Sequence, residues 1–155
     1  MISFREKSLW VSLLISLVIA SVYGDNILAF LAAGEAVSGQ DISGLIFRVV
    51  IAFIVLEVVL HIALAMKEQE GSGLPEDERE RNYRLLANNV GYWVLSIGVI
   101  ACISQQMINS SFGFEVQNEY TNLALAPFEL KLVVIFWLSE VARFATELYY
   151  YRQES

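Results

Sequence analysis

The stretch Ile46–Ala65, IFRVVIAFIVLEVVLHIALA, decides the architecture. About 20 apolar residues, at roughly 1.5 Å of helical rise each, cover the hydrocarbon core of a bilayer. Three ionisable residues, Arg48, Glu57 and His61, interrupt the run. Groups of this kind are costly at membrane depth unless they face a protein interior, a cavity or a partner. The stretch reads as a transmembrane helix whose polar residues are its best functional clue.

The rest of the chain agrees. Of 155 residues, 56% are apolar and 17% charged, too apolar and too sparsely charged for a soluble domain of this length. Four long apolar runs predict an all-α, polytopic membrane four-helix bundle forming one domain over residues 1–155. The run that follows MISFREKSLW is taken as the first helix, not as a signal peptide, because no small-x-small cleavage site leads into a hydrophilic chain. A net charge of −7, with acids concentrated in loops and tails, gives no support for nucleic-acid binding. Cys102 is the one cysteine and reads as a small apolar filler within a helix.

The first span runs from about Leu9 to Phe30, and Gly24, Asp25 and Asn26 interrupt its far end. A turn over Gly34–Ser43 leads to the second span, roughly Ile42–Met66. The polar segment Lys67–Arg84 follows, and Pro75 with Glu76, Asp77 and Glu78 predicts the start of a short surface helix. The third span covers about Leu85–Met107, a Ser/Asn/Gly connection covers Asn109–Thr121, and the fourth span runs from Pro127 to about Tyr149. Trp10, Tyr92, Trp93 and Tyr149–Tyr151 suit the aromatic belt at a membrane surface. Arg5, Lys7, Lys67, Arg79, Arg81, Arg84, Arg143 and Arg152 cluster on one side, so the positive-inside rule puts both termini and the central loop in the cytoplasm.

A shift of 83 residues without gaps superposes Trp10-Val11 on Trp93-Val94, Arg48 on Lys131, Phe53 on Phe136 and Glu57-Val58 on Glu140-Val141. Apolar matches between membrane helices come cheaply; matched intramembrane charges do not. The pattern suggests a tandem repeat of two-helix units, 1–72 and 84–155, joined by a cytoplasmic linker 73–83. An even number of spans per unit gives both the same orientation, as in parallel repeats. Glu57 and Glu140 would then face one another or lie at equivalent depths.

Glu57 and His61 are four residues apart and share a helix face; Glu140, Arg143 and Glu147 form a second stripe. All five fall in the cytoplasmic half of their spans, and Asn88 and Asn89 enter the third span at a similar level. Gathered in a bundle, they would make one polar network. Two carboxylates in low dielectric do not both ionise cheaply, and Arg143 can pair with one. His61 could relay protons to the other. These five residues are the candidate proton or ion site; a structural Glu140–Arg143 pair tying helices together is the competing reading.

A di-iron bundle would use Glu-x-x-His with further glutamates, whereas this chain has Glu-x-x-x-His and a single histidine, so no metal or cofactor is expected. On the outer side, Asp25, Arg48, Glu129 and Lys131 form a candidate secondary polar site, although Arg48 could simply snorkel to the surface. Gly91 and Gly98 share a face and, with Ser12 and Ser16, permit close helix approach within the chain or between copies.

Pro75–Gly98, PEDERERNYRLLANNVGYWVLSIG, resembles a family of small, uncharacterised prokaryotic multispan membrane proteins with an acidic-basic DERE-type segment before an aromatic-rich helix. The resemblance covers about a sixth of the chain. It implies a prokaryotic cytoplasmic (inner) membrane protein and transfers no catalytic residue.

The chain has no nucleotide-binding glycine loop, HExxH, CxxC or nucleophile elbow, so an enzyme is the less favoured class. Two classes remain: proton- or cation-coupled transport or conduction, working as a homo-oligomer, and a structural or regulatory subunit that binds another membrane protein.

Overall fold

Helix boundaries in the computed structural model follow the capping residues. The described residues are 4–33, 37–67, 77–112 and 126–153. They form four helices: α1 Phe4–Ala33, α2 Gly39–Lys67, α3 Glu78–Phe112 and α4 Phe128–Gln153. Ser38 caps α2: its Oγ accepts the Asp41 amide at 3.1 Å and donates to Asp41 Oδ2 at 2.7 Å. Asp77 caps α3, its Oδ1 accepting the Glu78 amide at 2.7 Å. Pro127 precedes α4, and its carbonyl accepts the Lys131 amide at 3.2 Å.

Several sequence-based boundaries shift. α1 is one uninterrupted helix through Gly24, Asp25 and Asn26. The turn after it is shorter than expected, because α2 already starts at Gly39. No separate surface helix precedes the third span among the described residues: α3 is continuous for 35 residues. At about 1.5 Å per residue it is about 52 Å long, well over the roughly 30 Å of a hydrocarbon core, so it reaches beyond the bilayer. Pro75, Glu76, Glu35 and the connection over 113–125 lie outside the described residues.

Consecutive helices run antiparallel, which puts the start of α1 and the end of α4 at one end of the molecule, here called the termini end. In space the order is α2, α1, α4, α3. The α3–α4 contact is the most extensive; α1 packs on both α4 and α2; α2 meets α4 only narrowly; and α3 packs on α4 alone. The bundle is an open row, not a square. Gly91 and Gly98 explain the close α3–α4 seam: a Cβ at Gly91 would lie 3.2 Å from Arg143 Cβ, and one at Gly98 would overlap Ile135 Cγ2. The glycine face is therefore intrachain packing.

Two apolar clusters tie the row together. At the termini end, Leu9, Phe144 and Leu148 bury against Leu13 and Tyr151. At the loop end, Leu31, Leu45, Ala126 and Leu130 pack with Tyr23, Ile27, Phe30, Val49 and Val134. Between them, Trp137 Nε1 donates to the Ser16 carbonyl at 3.1 Å.

α1, α2 and α3 are each long and apolar enough to cross a membrane. α4 carries Glu129, Lys131, Glu140, Arg143 and Glu147 along its length and is not among the three that qualify. The expectation of four similar spans changes accordingly: three helices qualify on their own, and the fourth is sandwiched between α1 and α3. None of the residues in the most apolar window of α2 is buried. α2 is lipid-like on almost every side, whereas α4 buries Lys131 and Glu147 against its neighbours and leaves Glu129 exposed.

The two hairpins nearly share a register. Shifting the α3–α4 contacts of Gly91 with Ser139 and Arg143 back by 83 puts Ser8 opposite Leu56 and Leu60, one residue from its partner His61. The arrangement of the hairpins is not two-fold, since the α1–α4 contact has no α2–α3 counterpart.

Candidate functional site

Ser8 and Ser12 of α1 face α2, and there they meet Glu57 and His61. His61 Nδ1 lies 2.8 Å from the Glu57 carbonyl oxygen and 2.9 Å from Glu57 Oε2. His61 Nε2 lies 2.9 Å from Ser8 Oγ and 3.4 Å from Ser12 Oγ. Ser12 Oγ donates to Glu57 Oε2 at 3.2 Å. Both Nδ1 contacts are to oxygens that only accept when Glu57 is ionised, so Nδ1 carries a proton and the neutral ring accepts from Ser8 through Nε2. The Glu57 and His61 side chains are 20% and 32% exposed, sheltered yet reachable.

This chain of groups can pass a proton. A proton arriving at Nε2 makes an imidazolium that donates to Ser8 Oγ. Loss of the Nδ1 proton to Glu57 Oε2 restores a neutral ring, now in the other tautomer. Histidine suits the step because its two nitrogens can be loaded from opposite sides near neutral pH.

The other expected members do not join this chain. Glu147 is fully buried in α4 and pairs across to α1, with Arg5 Nε 3.0 Å from its Oε1. Glu147 Oε2 is buried with no hydrogen-bond partner. Glu140 turns along its own helix to Arg143, whose Nε lies 3.2 Å from Glu140 Oε2, and Arg143 also sits over the Phe144 ring at 4.3 Å. The single network expected from sequence resolves into three pairs on different faces. Among the described residues, Glu57 and Glu140 share no hydrogen bond. Asn88 and Asn89, expected near the network, are exposed. The physical reason is the row: α1 stands between α2 and most of α4, and its serines satisfy Glu57 before α4 can.

The outer candidates also separate. Lys131 is buried and donates to Gln105 Oε1 of α3 at 3.0 Å. Asp25, Arg48 and Glu129 are exposed, and none pairs with another among the described residues. Arg48 and Lys131, matched in the repeat, therefore have different surroundings.

Between α2 and α4, floored by Ile19 of α1, runs an open groove of about 440 Å³ lined by Val49, Phe53, Leu132, Val133 and Trp137. A smaller apolar hollow of about 260 Å³ extends it toward Ile27 and Leu31. Glu140 stands at the edge of the larger groove. Among the described residues, no group of three or more His, Cys, Asp or Glu gathers as a metal ion would require.

Sequence reasoning missed Ser8, Arg5 and Trp137 as partners, whereas the Gln105 amide falls, from sequence, at about the level of Lys131. The spacing Ser8, Ser12, Ser16, four residues apart along one helix face, was a visible signal for the first of them. Arg5 reads from sequence only as a topology marker, and nothing local assigns it to Glu147.

No family model, curated protein or solved structure matches this chain.

Proposed function

We propose that the protein is a prokaryotic inner-membrane protein, with both termini cytoplasmic, that performs proton- or cation-coupled transport or conduction. The observation that carries this reading is the unbroken chain Ser8–His61–Glu57–Ser12 across α1 and α2. Donor and acceptor groups alternate along it, which suits a proton better than a bare metal cation. It serves the half of the path nearest the termini end. Beyond Ser16 the space is apolar, so passage to the other side requires α2 to move. α2 is the helix held least, by α1 chiefly and by α4 only narrowly, and the groove gives it room.

On this reading α4 is a fourth span. Its charges at Lys131, Glu140 and Glu147 are tolerable because Gln105, Arg143 and Arg5 pair with them from within the protein, and Glu129 lies in its first turn, near the helix end. The near-equal register of the hairpins supports descent from a repeated two-helix unit.

The test is proton flux in liposomes containing the purified protein, driven by a pH gradient and read with an internal pH-sensitive dye. Flux above protein-free vesicles, lost in Glu57→Gln, is the expected result. A second reading is a structural or regulatory membrane subunit, favoured by the apolar groove and the unburied α2, which offer another membrane protein a place to pack. Absence of flux together with a stable stoichiometric complex from native membranes would select that reading.

A further inference from the structure

The groove between α2 and α4 is apolar along its length and meets one charge. Phe53 of α2 and Val133, Phe136 and Trp137 of α4 line it above Ile19 of α1. Among the described residues lining this groove and the hollow that extends it, Glu140 alone is charged.

The partner of Glu140 stands on the other side. Arg143 leaves α4 toward α3: its Cβ and Cδ lie 3.2 and 3.7 Å from where a Cβ on Gly91 would be. Glu140 leaves α4 toward the groove, and Arg143 does not line it. The carboxylate is therefore the end of the pair that faces the groove. Arg143 Nε and Nη2 both donate to Glu140 Oε2, and no donor among the described residues reaches Oε1. The Glu140 side chain is 24% exposed, sheltered without being sealed.

These features select a ligand by its chemistry. A carboxylate facing an apolar space complements positive charge. A strongly hydrated ion is disfavoured, because shedding its water costs more than one shared carboxylate returns. A cation whose charge is spread under alkyl or aryl groups sheds little water. Phe53, Phe136 and Trp137 add aromatic rings, to which such a charge is attracted. The groove volume of about 440 Å³ suits a small organic molecule.

We propose that this groove binds a lipophilic organic cation of the quaternary ammonium or phosphonium class, with its charge at Glu140 and its apolar groups on Phe53, Phe136 and Trp137. The ligand enters from the bilayer, between α2 and α4, where the two helices meet only narrowly. Phe53 lies one turn from Glu57 on α2, so the bound charge sits close to the proton relay. Two positive charges at that spacing oppose one another, which makes the cation the cargo exchanged for a proton. The exchange rests on the transport reading; the binding does not.

The experiment measures equilibrium binding of tetraphenylphosphonium to the purified full chain in detergent. Tetraphenylborate, of nearly the same shape and opposite charge, is the control. Saturable binding of the phosphonium and none of the borate is the expected result. Glu140→Gln weakens phosphonium binding at least about tenfold, the scale of losing one charge partner in a sheltered site. Because that variant also deprives Arg143 of its partner, Val133→Phe supplies a second measurement: it fills the groove, leaves the ion pair in place and weakens binding to a similar degree. Equal binding of the borate, or unchanged phosphonium affinity in both variants, overturns the proposal. So does a protein that binds neither ion and retains a phospholipid or another membrane protein through purification. Binding without flux in liposomes sinks the transport reading alone, and flux without binding sinks this inference alone.

Discussion

Arg5 of α1 reaches the fully buried carboxylate of Glu147 on α4 at 3.0 Å, joining the first helix to the last at the termini end. Arg5→Ala leaves an unpaired buried charge and is expected to cost about 2–3 kcal/mol, below the roughly 3–5 of fully buried pairs because Arg5 is one-third exposed. Arg5→Met with Glu147→Leu recovers more than half of that loss, since both charges leave together. Thermal unfolding in detergent checks it; a double variant as unstable as Arg5→Ala would refute the pairing.

Two glycines with opposite surroundings test the α3–α4 seam. A Cβ at Gly98 overlaps Ile135, a β-branched side chain with little freedom to yield, so Gly98→Ala destabilises by about 1–3 kcal/mol. Gly24 has nothing within 4 Å of an added Cβ, and Gly24→Ala in the middle of α1 stabilises by about 0.5–1 kcal/mol. Melting temperatures moving in opposite directions are the expected result.

If the proposed relay carries the flux, its members are not equivalent. Glu57→Gln and His61→Phe each reduce flux in liposomes to the protein-free background, because every proton must cross both groups. Ser8→Ala slows flux without removing it, since water can replace a hydroxyl at a partly exposed site. Circular dichroism should show unchanged helicity in all three. Full flux in Glu57→Gln would place the path elsewhere.

Tyr151, just beyond the end of the fourth span, offers a test at high pH. Burial, and then Glu80 and Glu147, hold its phenol above the ordinary tyrosine range, with Arg5 opposing. A group whose folded value is raised contributes stability that is complete below its unfolded value of about 10 and is lost as pH rises above it. Stability should therefore fall above about pH 10, and Tyr151→Phe should flatten that fall. An unchanged slope in the variant would assign the loss to other groups.

The legible part of the architecture was what each helix requires for itself. Ile46–Ala65 announces a span because a bilayer demands an unbroken apolar length, and the acids after Pro75 announce a helix start, which falls at Glu78 behind its cap Asp77, because a first turn favours negative charge. The pairing of Glu57 with His61 was legible too, since four residues bring side chains onto one face whatever the neighbours do.

The sequence by itself determined the helices, their order and the local charge pairs, for these depend on periodicity and length within a single segment. Tertiary structure alone decided that the helices stand in a row with α1 and α4 on the inside. As a result Glu57 accepts from Ser12, Glu147 pairs with Arg5, and Glu140 stays with Arg143. Which of two apolar faces packs on which is a small difference between large and similar contact energies. In this chain it turns on details such as the missing Cβ of Gly98, whose consequence exists only once Ile135 lies against it.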